Sequence, residues 1–216
     1  MNTDFSRVGI VGCGAIGGWI GAKLAEAGCT VSVLARGATL TALQTQGLRL
    51  GTTQHAVAAS AQASDLGVQD LVVVAVKAPA LAEVASQMGP LIGPDTVVLT
   101  AMNGVPWWFF QGFGGTWEGH QLQAVDPNGE IAASIPAKNV IGCVVHASCS
   151  VDAPGVIRHH FGNGLIIGEP SGQATPRVQA LGELLTRAGF ATTVSAQIQK
   201  DVWYKLWGNM TVNPIS

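Results

Sequence analysis

Charge is scarce in this chain. Only 11% of its 216 residues are charged, 11 basic against 13 acidic, for a net charge of −2. No basic run gathers what cations there are, which argues against a polyanion as partner. Aromatic residues make up 6%, with a single Tyr. No apolar run approaches the ~20 residues that span a bilayer; Leu71-Val72-Val73-Val74-Ala75-Val76 is typical of the longest. The opening Met1-Asn2-Thr3-Asp4-Phe5-Ser6 has neither a basic segment nor an apolar one behind it, so no secretory signal is expected. Cys13, Cys29, Cys143 and Cys149 show no C-x-x-C spacing and no His at zinc-finger intervals. Reduced thiols, a cytoplasmic setting and no metal site are the expectations. What is abundant is apolar residues, 48% of the chain, enough for the core of one large domain or of one domain and the start of another.

Among the 28 glycines, three fall in an informative order. Arg7-Val8-Gly9-Ile10-Val11 is an apolar run, Gly12-Cys13-Gly14-Ala15-Ile16-Gly17 follows, and Trp19-Ile20-Gly21-Ala22-Lys23-Leu24 continues as a helix-compatible stretch. A strand, G-x-G-x-x-G and a helix in that order are what a dinucleotide pyrophosphate requires. The first Gly permits the tight turn, the second lets backbone approach the phosphates, and the third lets helix and strand pack closely. The helix N-terminus adds free N–H groups and partial positive charge. The competing reading is a tight turn with no ligand. Thr30-Val31-Ser32-Val33-Leu34-Ala35 reads as the second strand, ending at Arg36, with no acidic residue between Thr30 and Thr53. An NAD site places a carboxylate at this point for the ribose hydroxyls, whereas a guanidinium suits the 2′-phosphate of NADP. NADP(H) is the expected cofactor, against the alternative that Arg36 is a solvated charge at a strand end.

Apolar runs alternate with helix-compatible stretches, the mark of βαβ units. The expected fold class is α/β: a Rossmann-type, doubly wound, mainly parallel sheet with flanking helices. Strands are expected near 7–12, 30–35, 48–50, 55–59, 71–76 and 96–101, and helices near 16–27, 38–46 and 79–89. Residues 107–138 break this rhythm with Trp107, Trp108, Phe109, Phe110, Phe113 and Trp117 among several Gly. Without interleaved Lys and Arg they do not suit a nucleic-acid stacking platform, and a packed flap or an association surface is expected. A strand over 140–145 follows. Residues 155–160 and 165–168 read as two strands joined through Gly162-Asn163-Gly164, with His159 and His160 on opposite faces and so unable to form a two-His ligand set. A helix over 175–189, a short strand at 192–194 and a helix from Ala196 onward complete the chain.

That last helix carries Lys205, Asn209 and Asn213 every four residues, a polar stripe beside Trp203, Leu206, Trp207, Met210 and Val212. Such groups on a buriable helix need a partner or a ligand. A Lys near a reduced nicotinamide can protonate the oxygen of a ketone, and Asn side chains can hold hydroxyl and carboxylate groups; a solvated helix face is the alternative. Asn103 and Lys77 each follow a strand at its carboxyl end, where open α/β sheets bind ligands, although either can be only a turn residue.

Taken together, Gly12-Cys13-Gly14-Ala15-Ile16-Gly17, Arg36, Val76-Lys77-Ala78, Asn103-Gly104 and Lys205-x-x-x-Asn209-x-x-x-Asn213-Pro214 resemble the ketopantoate reductases, the NADPH-dependent 2-dehydropantoate 2-reductases of pantothenate synthesis. The resemblance implies Lys205 as general acid and Asn103, Asn209 and Asn213 as substrate contacts. It implies Arg36 with Lys77 at the 2′-phosphate, Asn103 beside the nicotinamide, and a further cofactor contact near Ser148. It implies an NADP-binding domain over 1–195, with an aromatic insertion at about 107–138, and over 196–216 the first helix of a second, all-helical domain whose Ser and Glu complete the site. That second domain is expected to be absent or truncated in this chain, so weak NADPH binding, little reductase activity and self-association through the last helix are expected of the 216 residues alone. The partners expected are a small 2-oxo acid and, in a homo-oligomer, further copies of the chain, with no nucleic acid and no membrane. Two other functions stay open: a non-catalytic NADP-binding module, and a related reductase acting on another 2-oxo acid.

Overall fold

The computed structural model describes residues 3–212. The chain runs β1 (Arg7–Val11), α1 (Ala15–Glu26), β2 (Thr30–Leu34), α2 (Gly37–Gln46), β3 (Leu48–Leu50), β4 (Thr53–His55), β5 (Ala58–Ser60), β6 (Gln69–Val74), α3 (Leu81–Gln87), β7 (Ile92–Thr100), α4 (Glu130–Ser134), β8 (Val140–Ala153), β9 (Val156–Gly168), α5 (Pro176–Arg187), β10 (Ala191–Val194) and α6 (Ile198–Val212). Ten strands make one sheet in the order β4-β3-β9-β8-β7-β6-β1-β2-β5, with β10 alongside β9. From β5 across to β8 every neighbouring pair is parallel. In order of appearance these six strands lie 3-2-1-4-5-6, the doubly wound arrangement in which strand order reverses between β1 and β6. Antiparallel pairing is confined to β3 with β4 and β8 with β9.

The valine-rich strands show why both faces are covered. Leu71 and Val73 of β6 enter one core with Trp19, Ile20 and Leu24 of α1 and Leu181 and Leu185 of α5. Val72 and Val74 enter the opposite core, with Leu81 and Ala85 of α3 and Ile198 and Val202 of α6. Successive strand residues point to opposite faces, so a strand buried on both sides reads as a continuous apolar run. The aromatic segment joins the second core: Trp107, Trp108 and Phe109 are buried, and the Trp108 indole N–H donates to Thr100 Oγ1 at 3.1 Å. It is a packed flap over this part, while Phe113 and Trp117 farther along stay exposed.

Three expectations change. The strand expected near 55–59 is two short strands, β4 and β5, on opposite edges of the sheet. The helix expected over 79–89 is shorter, because Pro79 sits in a 3-10 turn over Ala78–Ala80 that precedes α3. Residues 156–168 are a single strand rather than a hairpin. The long β8 offers partners on both sides of Gly162, with Ser148 opposite Phe161 and His146 opposite Gly164. Gly162 (φ +74°) absorbs the irregularity as a bulge, and the tight turn lies instead at Pro154-Gly155. His159 and His160 do take opposite faces: His159 stacks on Trp19, and His160 Nε2 lies 2.9 Å from Ser150 Oγ. Trp203, Tyr204, Trp207 and Met210 are the exposed apolar residues of α6, while Leu206 is half-buried. No described helix is long and apolar enough to cross a membrane, and no group of described residues could hold a metal ion. All four cysteines are free.

Candidate functional site

The reversal point between β1 and β6 is closed by backbone. Gly12 sits at φ +93°, and a Cβ there would lie 2.7 Å from Val76 Cγ1 and 2.9 Å from the Ala75 carbonyl carbon. A Cβ on Gly17 would lie 2.1 Å from the Gly12 oxygen. Side chains at these two positions would push α1 away from the strand ends. Gly14 faces open space, with nothing within 4 Å of a Cβ built there. It also caps α1, whose N-terminus has no side-chain cap and no acidic residue in its first turn. Free N–H groups and partial positive charge therefore face a cleft of about 340 Å³ lined by Gly12, Cys13, Gly14, Arg36, Val76 and Val84, among others. Burial pushes the Cys13 thiol up to about 12, so it stays neutral beside any anion. The cradle fits a diphosphate.

Arg36 caps α2 and stands at the mouth of this cleft with an exposed side chain. Its guanidinium is paired with Glu83 of α3: Nη1 lies 2.6 Å from Oε1, and Nη2 donates to Oε2 at 3.5 Å. Hydrogen bonding to Glu83 raises the Arg36 pKa, and the same bond lowers that of Glu83. Lys77 is exposed in the turn after β6, next to Val76, but is not among the residues that wall the cleft.

A second cavity, of about 480 Å³, opens at the carboxyl end of β7, beside the first residues of β8. Thr100, Asn103, Trp107, Trp108, Cys143 and Val202 are among its lining residues. The segment 76–81 divides the two spaces: Val76 and Ala80 line the first, Ala78, Pro79 and Leu81 the second. Asn103 itself is exposed, immediately before Gly104 at φ +91°.

Lys205 lies one turn beyond Val202 on α6. It is half-buried, and its ammonium donates to the Val145 carbonyl of β8. Burial lowers its pKa, with Cys143 acting in the opposite direction. Burial in turn pushes the Cys143 thiol up to about 12 against the pull of Lys205. His146 is held below the ordinary histidine value by burial and then by Lys205, with Asp201 opposing. Asn209 is half-buried a turn farther along α6. Asn213 lies outside the described residues. Ser148 is half-buried at an irregularity in the β8–β9 pairing and lines neither space.

The structure thus gathers Gly12, Cys13, Gly14 and Arg36 at one space, with Ala15, Ile16 and Gly17 following in the first turn of α1 but not lining it, and sets Asn103 and the helix of Lys205 around the next. Glu83, Cys143 and the Val145 carbonyl are additions. Glu83 is 47 positions from Arg36, and Val145 is 60 from Lys205, separations that no local pattern encodes.

Residues 8–107 match the family model described as ketopantoate reductase PanE/ApbA. A 2-dehydropantoate 2-reductase of Mesorhizobium japonicum is 49% identical over 97% of this chain and 66% of its own length. One from Halobacterium salinarum is 31% identical over 96% of the chain and 63% of its own length. The chain therefore spans just under two thirds of these curated relatives. A solved structure from Ralstonia solanacearum MolK2, of a protein assigned as a ketopantoate reductase, is 55% identical and superposes with a TM-score of 0.95 over 99% of this chain and 67% of that one. At 55% identity and a TM-score of 0.95 over 99% of its length, beside a 49% identical 2-dehydropantoate 2-reductase, the chain belongs to the ketopantoate reductase family.

Proposed function

We propose that the protein reduces 2-dehydropantoate to pantoate with NADPH. The observation that carries this reading is Lys205, a half-buried ammonium anchored on the Val145 carbonyl one helical turn from Val202, which lines the same cavity as Asn103. The names of the Mesorhizobium and Halobacterium relatives support the substrate.

In this reading Gly12, Cys13, Gly14, Ala15, Ile16 and Gly17 hold the pyrophosphate through backbone N–H groups, and Arg36 with Lys77 meets the 2′-phosphate. Ser148 lines neither space, and only the family resemblance assigns a further cofactor contact near it. NADPH, when bound, supplies the hydride. Asn103 orients the reacting carbonyl beside the nicotinamide, and Asn209 with Asn213 holds the polar ends of the substrate. Lys205 Nζ gives its proton to the oxygen that becomes the new hydroxyl. Its lowered pKa makes it the readier donor, since less free energy opposes loss of a proton from a partly desolvated ammonium. Residues 1–195 serve the cofactor in this scheme, and 196–216 begin the part that meets the substrate. The reading carries with it a cytoplasmic, homo-oligomeric enzyme.

Steady-state reduction of 2-dehydropantoate, in a protein of the relatives' full length carrying this sequence, tests it. Lys205→Ala is expected to lower kcat by about 10²–10⁴ while NADPH affinity stays within a few-fold. Near-normal turnover in that variant would make Lys205 a surface lysine and sink the mechanism.

A further inference from the structure

The cleft's cation is already engaged. Arg36 and Glu83 meet at two points, Nη1 to Oε1 at 2.6 Å and Nη2 to Oε2 at 3.5 Å, across the cleft mouth from α2 to α3. Both side chains are exposed, 71% and 54%, so water and salt compete with the pair. Glu83 sits in the first turn of α3, and its neighbour Val84 lines the cleft with Arg36 and Thr39. Glu83 does not itself line the cleft, but its carboxylate meets the guanidinium that does.

We propose that Glu83 is a specificity-determining residue, competing with the 2′-phosphate for Arg36, so that the Arg36–Glu83 pair rather than Arg36 alone sets the preference between phosphorylated and unphosphorylated adenosine riboses. The inference rests on reading this cleft as a dinucleotide site. A guanidinium offers a fork of donors that one carboxylate or one phosphate fills. A phosphate reaching Arg36 has to displace Glu83 or share the guanidinium with it, and a carboxylate so close repels it. A 2′-hydroxyl meets no such conflict, because it can donate to Glu83, the part a carboxylate plays in NAD sites. Glu83 thus penalises the 2′-phosphate and tolerates the hydroxyl, which narrows the preference for NADPH.

Titrations of the 216-residue chain with NADPH and NADH, followed by fluorescence, and with 2′,5′-ADP and 5′-AMP, followed by calorimetry, test this without turnover. Glu83→Gln keeps the side chain's shape and removes its charge. It is expected to tighten NADPH and 2′,5′-ADP about five- to tenfold and to move NADH and 5′-AMP by twofold or less. The gain should shrink as salt rises from low to physiological strength, as expected for exposed charges. In an Arg36→Ala background the same change should gain twofold or less, because a carboxylate released from Arg36 can swing into solvent. Unchanged NADPH affinity in Glu83→Gln would make Glu83 a bystander, and weaker affinity would make it a support that orients Arg36; either overturns the competition. Absence of binding by all four probes to the wild-type chain would instead bring down the dinucleotide reading itself, and indifference of NADPH to Arg36→Ala would remove Arg36 from the 2′-phosphate; this inference falls with either.

Discussion

The two spaces at the carboxyl edge of the sheet are built on opposite plans. The cleft at β1 and β2 has the glycine turn Gly12 to Gly14 on one side, small and aliphatic residues such as Ala35, Val76 and Val84 around it, and an exposed ion pair at its mouth. The cavity at β7 and β8 is walled by large side chains, Trp107, Trp108 and Met102, with Cys143 and Val202 brought in from distant segments. The turn tolerates change around it as long as Gly12 and Gly17, where a Cβ would clash with backbone, stay glycine. A wall of side chains depends on packing, so its shape and its stability are one property. The first plan suits a ligand part that never varies, the second a part in which relatives can differ.

That contrast predicts where damage stays local. Trp108 is 1% exposed and donates to Thr100 Oγ1, so Trp108→Ala is expected to cost about 3–5 kcal/mol of folding stability, read from denaturant unfolding. NADPH affinity of the fraction that folds should change less than threefold, since the cleft lies beyond the dividing segment 76–81. If affinity falls in step with stability, the two spaces are one cooperative unit and the comparison breaks. Arg36→Ala should behave in the opposite way: NADPH binding weakened at least tenfold, NADH within about twofold, and unfolding midpoint nearly unchanged, because exposed ion pairs add little to stability. Equal affinities of the wild-type chain for NADPH and NADH would show that the cleft mouth does not select for phosphate.

The same contrast explains what was legible in the sequence. The Gly12–Gly17 turn, Arg36 and the strands β1, β2, β6 and β7 could be read directly, because strand, turn and helix preferences act over a few residues and both faces of the central strands are buried. The continuous β9 could not. Gly162-Asn163-Gly164 has the chemistry of a turn, and only the pairing with 14-residue β8 makes it a bulge, so tertiary pairing overrode local propensity. The Glu83 partner of Arg36 and the carbonyl under Lys205 were invisible for the same reason. Each is one end of a contact whose other end is fixed by the fold. The Lys205-x-x-x-Asn209 spacing marked a face of α6 without saying which strand that face would meet.

The smallest effect predicted is on Lys205, and it separates function from stability at one position. Burial disfavours the charged form of this side chain and lowers its pKa in the folded state. A group whose folded pKa lies below its unfolded value adds stability above the unfolded value, near 10.4 for lysine, and loses it as pH falls through the folded one. At neutral pH the ammonium is therefore carried at a cost relative to a neutral side chain of similar length. Its bond to the Val145 carbonyl offsets part of that cost, and partial exposure screens more of it. Lys205→Met keeps the apolar stem and discards the charge, so at pH 7 its unfolding midpoint should match or exceed that of the wild-type chain by about 1–2 °C, a fraction of a kcal/mol for a domain of this size. The difference should fade as pH is raised toward 10, where the wild-type lysine sheds its proton. The same variant in the full-length enzyme should lose turnover as Lys205→Ala does. A midpoint several degrees lower would mean that the Lys205–Val145 bond chiefly holds α6 on β8, and that the ammonium is there for the fold rather than for chemistry.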